Sequence, residues 1–176
     1  MQAIDGGIGM ALKDGFTADE WEMLVGAPQA VGTAVMLASF SGLGGTAHEA
    51  VTLGKTLASG ATGSNELIKE ICALEEGPAA QTALRERVKQ LDAQNLNVEI
   101  ANLAMGEAKQ AVDALKEKSP ENVELYKEWL MRLAFNVANA SKEGDFFGIG
   151  GKRISDGERD VLNTLSQVLG VPVPTA

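Results

Sequence analysis

The chain has 176 residues and a net charge of −9, from 15 Lys and Arg against 24 Asp and Glu, with 45% hydrophobic residues and a single cysteine. Its negative field repels nucleic-acid backbones and anionic membrane surfaces, so neither is an expected partner. One cysteine excludes an internal disulfide and any CxxC metal or redox site, and a chain of this size buries enough apolar surface to need neither.

No Pro-, Ser- or Gly-rich linker divides the chain, so residues 1–176 are expected to form a single domain. Nearly every segment carries apolar residues at helical spacing, and none shows sustained period-two alternation. The expected fold class is therefore all-α, a compact bundle of seven to eight helices. Met1 to Phe16 shows no basic stretch followed by an apolar one, which argues against a secretory leader. With the lone cysteine, this points to a cytoplasmic protein.

Thr17 is the expected cap of the first helix, with Asp19 and Glu20 complementing the positive helix end and Trp21, Leu24 and Val25 facing inward. Pro28 suits a first helical position, so a second helix is expected from there to about Ser39. Gly42-Leu43-Gly44-Gly45 then breaks the chain, and Thr46 caps a third helix through Leu57. From Met23 to Ala47 no residue carries a formal charge, a span long enough to cross a bilayer. Its glycines, Pro28 and Gln29, and the lack of a flanking basic cluster, favour a buried pair of tightly packed helices over a membrane-associated protein.

Ser64 opens a fourth helix carrying Leu67, Ile71 and Leu74, in which Cys72 is a packing residue. Gly77-Pro78 ends it, and a fifth helix runs to about Ala93, with Arg85-Glu86-Arg87-Val88-Lys89 on the wet side of Leu84, Val88 and Leu91. The sixth is the most regular. Val98, Ala101, Met105, Ala108, Val112 and Leu115 form a seam whose alanines let a neighbour approach closely.

Ser119-Pro120-Glu121-Asn122 starts the seventh helix, whose stripe is Val123, Tyr126, Leu130, Leu133, Ala134 and Val137. Trp129, Met131 and Phe135 widen that stripe, so this helix belongs near the centre. Gly150-Gly151 reads as the turn of a short β-hairpin over 147–154. Ser155-Asp156-Gly157-Glu158 is a capping box opening the last helix, with Val161, Leu162, Leu165, Val168 and Leu169 inward and Gly170 as the stop.

His48 is the sole histidine, and Thr52 stands where a HExxH zinc motif needs its second, so His48-Glu49 reads as a capping or surface pair. A Ser-His-Asp or Cys-His catalytic set would have to recruit that one ring from a helix start. Gly148-Ile149-Gly150-Gly151-Lys152-Arg153 fails as a phosphate loop, because Phe146 stands at the first glycine and Arg153 at the magnesium-binding hydroxyl. The lack of a complete catalytic set favours a non-enzymatic binding or scaffold protein, acting through a protein partner or self-association, over a small carboxylate enzyme.

Two acidic turns share a pattern. Asp14-Gly15-Phe16-Thr17-Ala18-Asp19-Glu20-Trp21 lies near the start, and Glu143-Gly144-Asp145-Phe146 with Ile154-Ser155-Asp156-Gly157-Glu158 near the end. In each, glycine makes the turn, a hydroxyl caps and acids favour the positive helix end, which needs no ligand. If the two turns meet, Asp14, Asp19, Glu20, Glu143, Asp145 and Glu158 make an oxygen-rich site for a hard divalent cation, calcium or magnesium. Neither follows the EF-hand pattern.

At these residues the sequence resembles the tellurite-resistance TerB-like helical family. Its members repeat a short acid-Gly-x-apolar-x-x-acid-Glu turn before a helix and end their last helix in a Leu-Gly pair, as Leu169-Gly170 does here. The similarity runs from Leu133 to Gly170, with Asp14 to Leu24 as a fainter counterpart, and Phe147 to Arg153 departs from it as an insertion in the second turn. The resemblance implies a compact helical bundle tied to bacterial stress response, with metal bound through the same six acidic residues.

Overall fold

The computed structural model describes residues 12–39, 42–73, 76–140 and 154–175, with the backbone alone over 42–48. These residues form seven α-helices: α1 (Ala18–Ala38), α2 (Gly42–Ala61), α3 (Glu66–Ile71), α4 (Gly77–Val88), α5 (Leu96–Lys118), α6 (Val123–Ala140) and α7 (Asp156–Leu169). Short 3-10 turns lie at Leu12–Gly15, Ala93–Asn95 and Pro120–Asn122, and no strand occurs among the described residues. The hairpin expected over 147–154 falls outside them, apart from Ile154 just before α7.

Thr17 opens α1 with a reciprocal capping box: its Oγ1 accepts from the Glu20 amide, and the Glu20 carboxylate accepts from the Thr17 amide at 2.7 Å. The helix then runs through Pro28, so the two helices expected on either side of it are one. A proline inside a helix withholds the N–H that would have bonded the carbonyl four residues back, here that of Leu24. The Tyr126 hydroxyl on α6 donates to that oxygen instead, at 3.0 Å. Burial pushes the Tyr126 phenol well up, which keeps its proton on the oxygen that donates.

Every residue from Leu24 to Gly32 is buried, so α1 has no wet face over these turns. It packs most extensively on α5 and is surrounded further by α6, α4, α7 and α2. This accounts for the uncharged stretch that began at Met23: among the described residues no helix is long and apolar enough to cross a membrane.

On α5 the expected seam residues Ala108, Val112 and Leu115 are buried, but towards the N-terminal half the buried line passes to Ile100 and Ala104, with Ala111 beside it, and Val98 is 61% exposed. Side-chain size pointed to Val98 and Met105. Close approach to α1, which buries Ala27, Ala30 and Ala34, instead favours the alanine face.

Other boundaries also differ from expectation. α2 begins at Gly42 rather than Thr46, and Asn65 rather than Ser64 caps α3, its side chain accepting from the Ile68 amide at 2.9 Å. Gly77-Pro78 opens α4 instead of ending α3, since proline in a first turn forfeits no helical bond, and α4 stops at Val88. The α6 stripe from Val123 to Val137 is buried as its spacing requires. α7 starts on the Ser155 capping box and ends on Gly170, which takes the left-handed conformation at φ 68°.

Two stability tests follow from these contacts. Tyr126→Phe leaves the Leu24 carbonyl buried and unpaired, a loss of about 1–3 kcal/mol in urea unfolding. The same change in a Pro28→Ala background, where residue 28 regains its N–H, should be milder by about 1 kcal/mol, and equal losses would show that the proline and the hydroxyl are uncoupled. Gly157→Ala places a Cβ 2.6 Å from the Ala38 carbonyl oxygen, a clash with backbone, and should destabilise by about 1–3 kcal/mol.

Candidate functional site

The acidic turns are the first place to look. Asp14 sits in the turn Leu12–Gly15, and Asp19 and Glu20 in the first turn of α1. Glu158 occupies the equivalent position in α7 and is engaged in the same way: its carboxylate accepts from the Ser155 amide at 2.6 Å, while the Ser155 hydroxyl accepts from the Glu158 amide. The start of α7 packs on the end of α1, where a Cβ at Gly157 would touch the Ala38 carbonyl. Glu20 lies about five turns earlier along α1, roughly 27 Å away at 1.5 Å per residue.

The fold therefore places Asp14, Asp19 and Glu20 at one end of α1 and Glu158 at the other. Glu143 and Asp145 lie outside the described residues. No group of three or more His, Cys, Asp or Glu is assembled among the described residues in a way that would hold a metal ion. Glu49, expected on the surface, is fully buried and accepts a hydrogen bond from the Ser39 hydroxyl at 2.8 Å.

The strongest concave feature lies elsewhere. α2 and α4 both pack on α1 and scarcely on each other, which leaves a trough between them with α1 as its floor. A cavity of about 450 Å³ is walled by Leu53 and Leu57 of α2 and by Leu84 and Val88 of α4, over Thr33, Met36 and Ile100. A second of about 300 Å³ adjoins it and shares Gln29, Gly54, Leu57 and Gln81. Both volumes are of the order that small-ligand and peptide sites occupy.

The walls match. α2 contributes Ala50, Leu53, Gly54 and Leu57, and α4 contributes Gln81, Leu84, Arg85 and Val88, the same i, i+3, i+4, i+7 spacing on each side. Gln29 lies where the two cavities join and is 9% exposed. Its main-chain carbonyl accepts from the Thr33 hydroxyl at 2.8 Å, but its side-chain amide takes part in no hydrogen bond among the described residues. Arg85 is the charged residue lining the trough, and among the described residues it joins no ion pair.

Gly54 is exposed inside α2, and a Cβ there would meet nothing within 4 Å. Cys72 borders the second cavity, where burial pushes its thiol up to about 12 and holds it in the unreactive protonated form. The spacing of both walls was visible in the sequence. On α4, Leu84 and Val88 read as the apolar side with Arg85 on the wet side, because spacing marks a stripe and does not say what covers it. No protein-family model, curated protein or solved structure matches the chain.

A buried charge on the far side of α4 has a different role. Glu107 of α5 is 3% exposed and pairs with Arg87, which also reaches Glu22 of α1, so one guanidinium ties three helices. Arg87 was expected on the wet face. Gly26 makes room for the carboxylate: a Cβ there would lie 3.1 Å from Glu107 Oε2.

Burial pushes the Glu107 carboxyl above its ordinary value, and Arg87 pulls it only part of the way back. A carboxyl held higher in the fold than in the unfolded chain favours folding while protonated. That contribution is fully present below about pH 4.5 and is lost as pH rises through the folded value. Wild-type stability relative to Glu107→Gln should therefore fall as pH rises above about 4.5, read as the difference in urea midpoints. A flat difference would mean that Arg87 offsets the burial in full.

Proposed function

We propose that the protein is a non-enzymatic, intracellular binding domain whose site is the α2/α4 trough. The observation that carries this reading is the pairing of two helix walls of matched spacing, left uncovered by the other described residues, with Gln29 at the junction of the cavities, whose side-chain amide makes no hydrogen bond among the described residues. The Gln29 amide offers both a donor and an acceptor to the trough, which a ligand carrying polar groups can engage. Half-buried Met36, Leu57 and Val88 add apolar surface that a ligand would remove from water at about 25 cal/mol per Å².

Gly54 supplies a clean test, because it lines both cavities and a Cβ there meets no described residue within 4 Å, so a larger side chain grows into the trough. Gly54→Trp should retain its helical circular-dichroism spectrum and melt no lower than wild type, since tryptophan in a helix interior is favoured over glycine by about 0.5 kcal/mol. The apolar, anionic fluorophore 1-anilinonaphthalene-8-sulfonate should bind the wild type and shift the methyl resonances of Leu53, Leu57, Leu84 and Val88. It should lose that binding in Gly54→Trp. Shifts elsewhere, or equal fluorescence in the two proteins, would remove the trough as the site.

A further inference from the structure

Resting on that reading, we infer that the occupant of the trough is an amphipathic α-helix of a partner protein, about three turns long, with an acidic side chain set against Arg85. Length is the first argument. The two cavities run alongside α4 from Gly77 to Val88, about 16 Å at the helical rise, which matches three turns of a helix lying in the slot. The walls are the second. Two helices that present the same i, i+3, i+4, i+7 stripe over a helical floor leave the space that another helix of a bundle fills by interdigitating its own stripe.

The third argument is the small stripe Ala50, Gly54 and Ala58 along α2, which faces the trough and admits a backbone at close range. A glycine in a helix interior weakens the helix, and among the described residues Gly54 has no neighbour that requires it. Gln29 is independent of that stripe: the residue is nine-tenths buried at the junction of the cavities, and its amide, which makes no hydrogen bond among the described residues, is placed to bond a polar residue of the incoming helix and fix its register. Charge sets the rest. In a chain of net charge −9, this trough is lined by one arginine that joins no ion pair among the described residues, and by no acid, so the complementary helix carries an acid at that point.

A display library of helix-patterned peptides, about 14 residues long, selected on the full chain and counter-selected on folded Gly54→Trp, tests this directly. The enriched peptides should share apolar residues at i, i+3 or i+4, and i+7, with an acid at one fixed position. They should bind Gly54→Trp at least about tenfold more weakly than wild type. Arg85→Glu should weaken them by about tenfold, and replacing the peptide acid with lysine should restore binding to that variant.

Enriched peptides without helical spacing, or binding indifferent to Arg85→Glu, would overturn the inference. Laurate serves as the comparison ligand in the same methyl spectra. If laurate or the fluorophore shifts the trough methyls while no helical peptide is selected, the trough stands as a small-molecule site and the helix falls. If none of the three probes binds there, the underlying reading falls with it.

Discussion

The fold turns on one hydrogen bond that repairs a defect in its central helix. α1 is buried on all sides from Leu24 to Gly32, and Pro28 in the middle of that stretch leaves the Leu24 carbonyl without a helical donor. An unpaired carbonyl there would be cut off from water. The Tyr126 hydroxyl fills the gap from α6 and so fixes how α6 lies against α1. Because α5, α6, α4, α7 and α2 all pack on α1, continuity through Pro28 keeps one surface on which they meet.

Around that axis the packing is made from small residues, with charge used sparingly. α1 and α5 approach through alanines, and the one large polar group near their contact, Glu107, is accommodated by the missing side chain of Gly26 and held by Arg87. A buried ion pair of this kind adds little net stability over an apolar pair, yet breaking it by removing one partner costs about 3–5 kcal/mol. Its contribution is best understood as orientation: Arg87 also grips Glu22, so α4 is pinned to α1 and α5 at its C-terminal end. Anchored there and packed on α1, α4 stands apart from α2, and the trough is the space between them.

The acidic turns show how a local signal can be read correctly and still mislead. Both Glu20 and Glu158 close capping boxes, as their spacing from Thr17 and Ser155 demands. Whether two such turns share a site depends on the length and direction of the helix between them, and α1 sets them about five turns apart. Conversely, Glu49 read as a capping or surface residue, and Glu107 gave no local signal, yet both are buried. Their burial follows from packing on faces that no window of neighbouring residues reveals.

The sequence by itself determined the all-helical class, the caps at Thr17 and Ser155, the α6 stripe and the stop at Gly170, because each depends on contacts within one or two turns. Tertiary structure alone decided that Pro28 lies inside a helix, since the donor that makes this tolerable, Tyr126, is 102 residues from the Leu24 carbonyl it serves. It also decided which α5 face is buried and which apolar stripes remain uncovered. Those outcomes depend on how closely whole helices approach, a property of pairs of surfaces that periodicity along one chain segment does not contain.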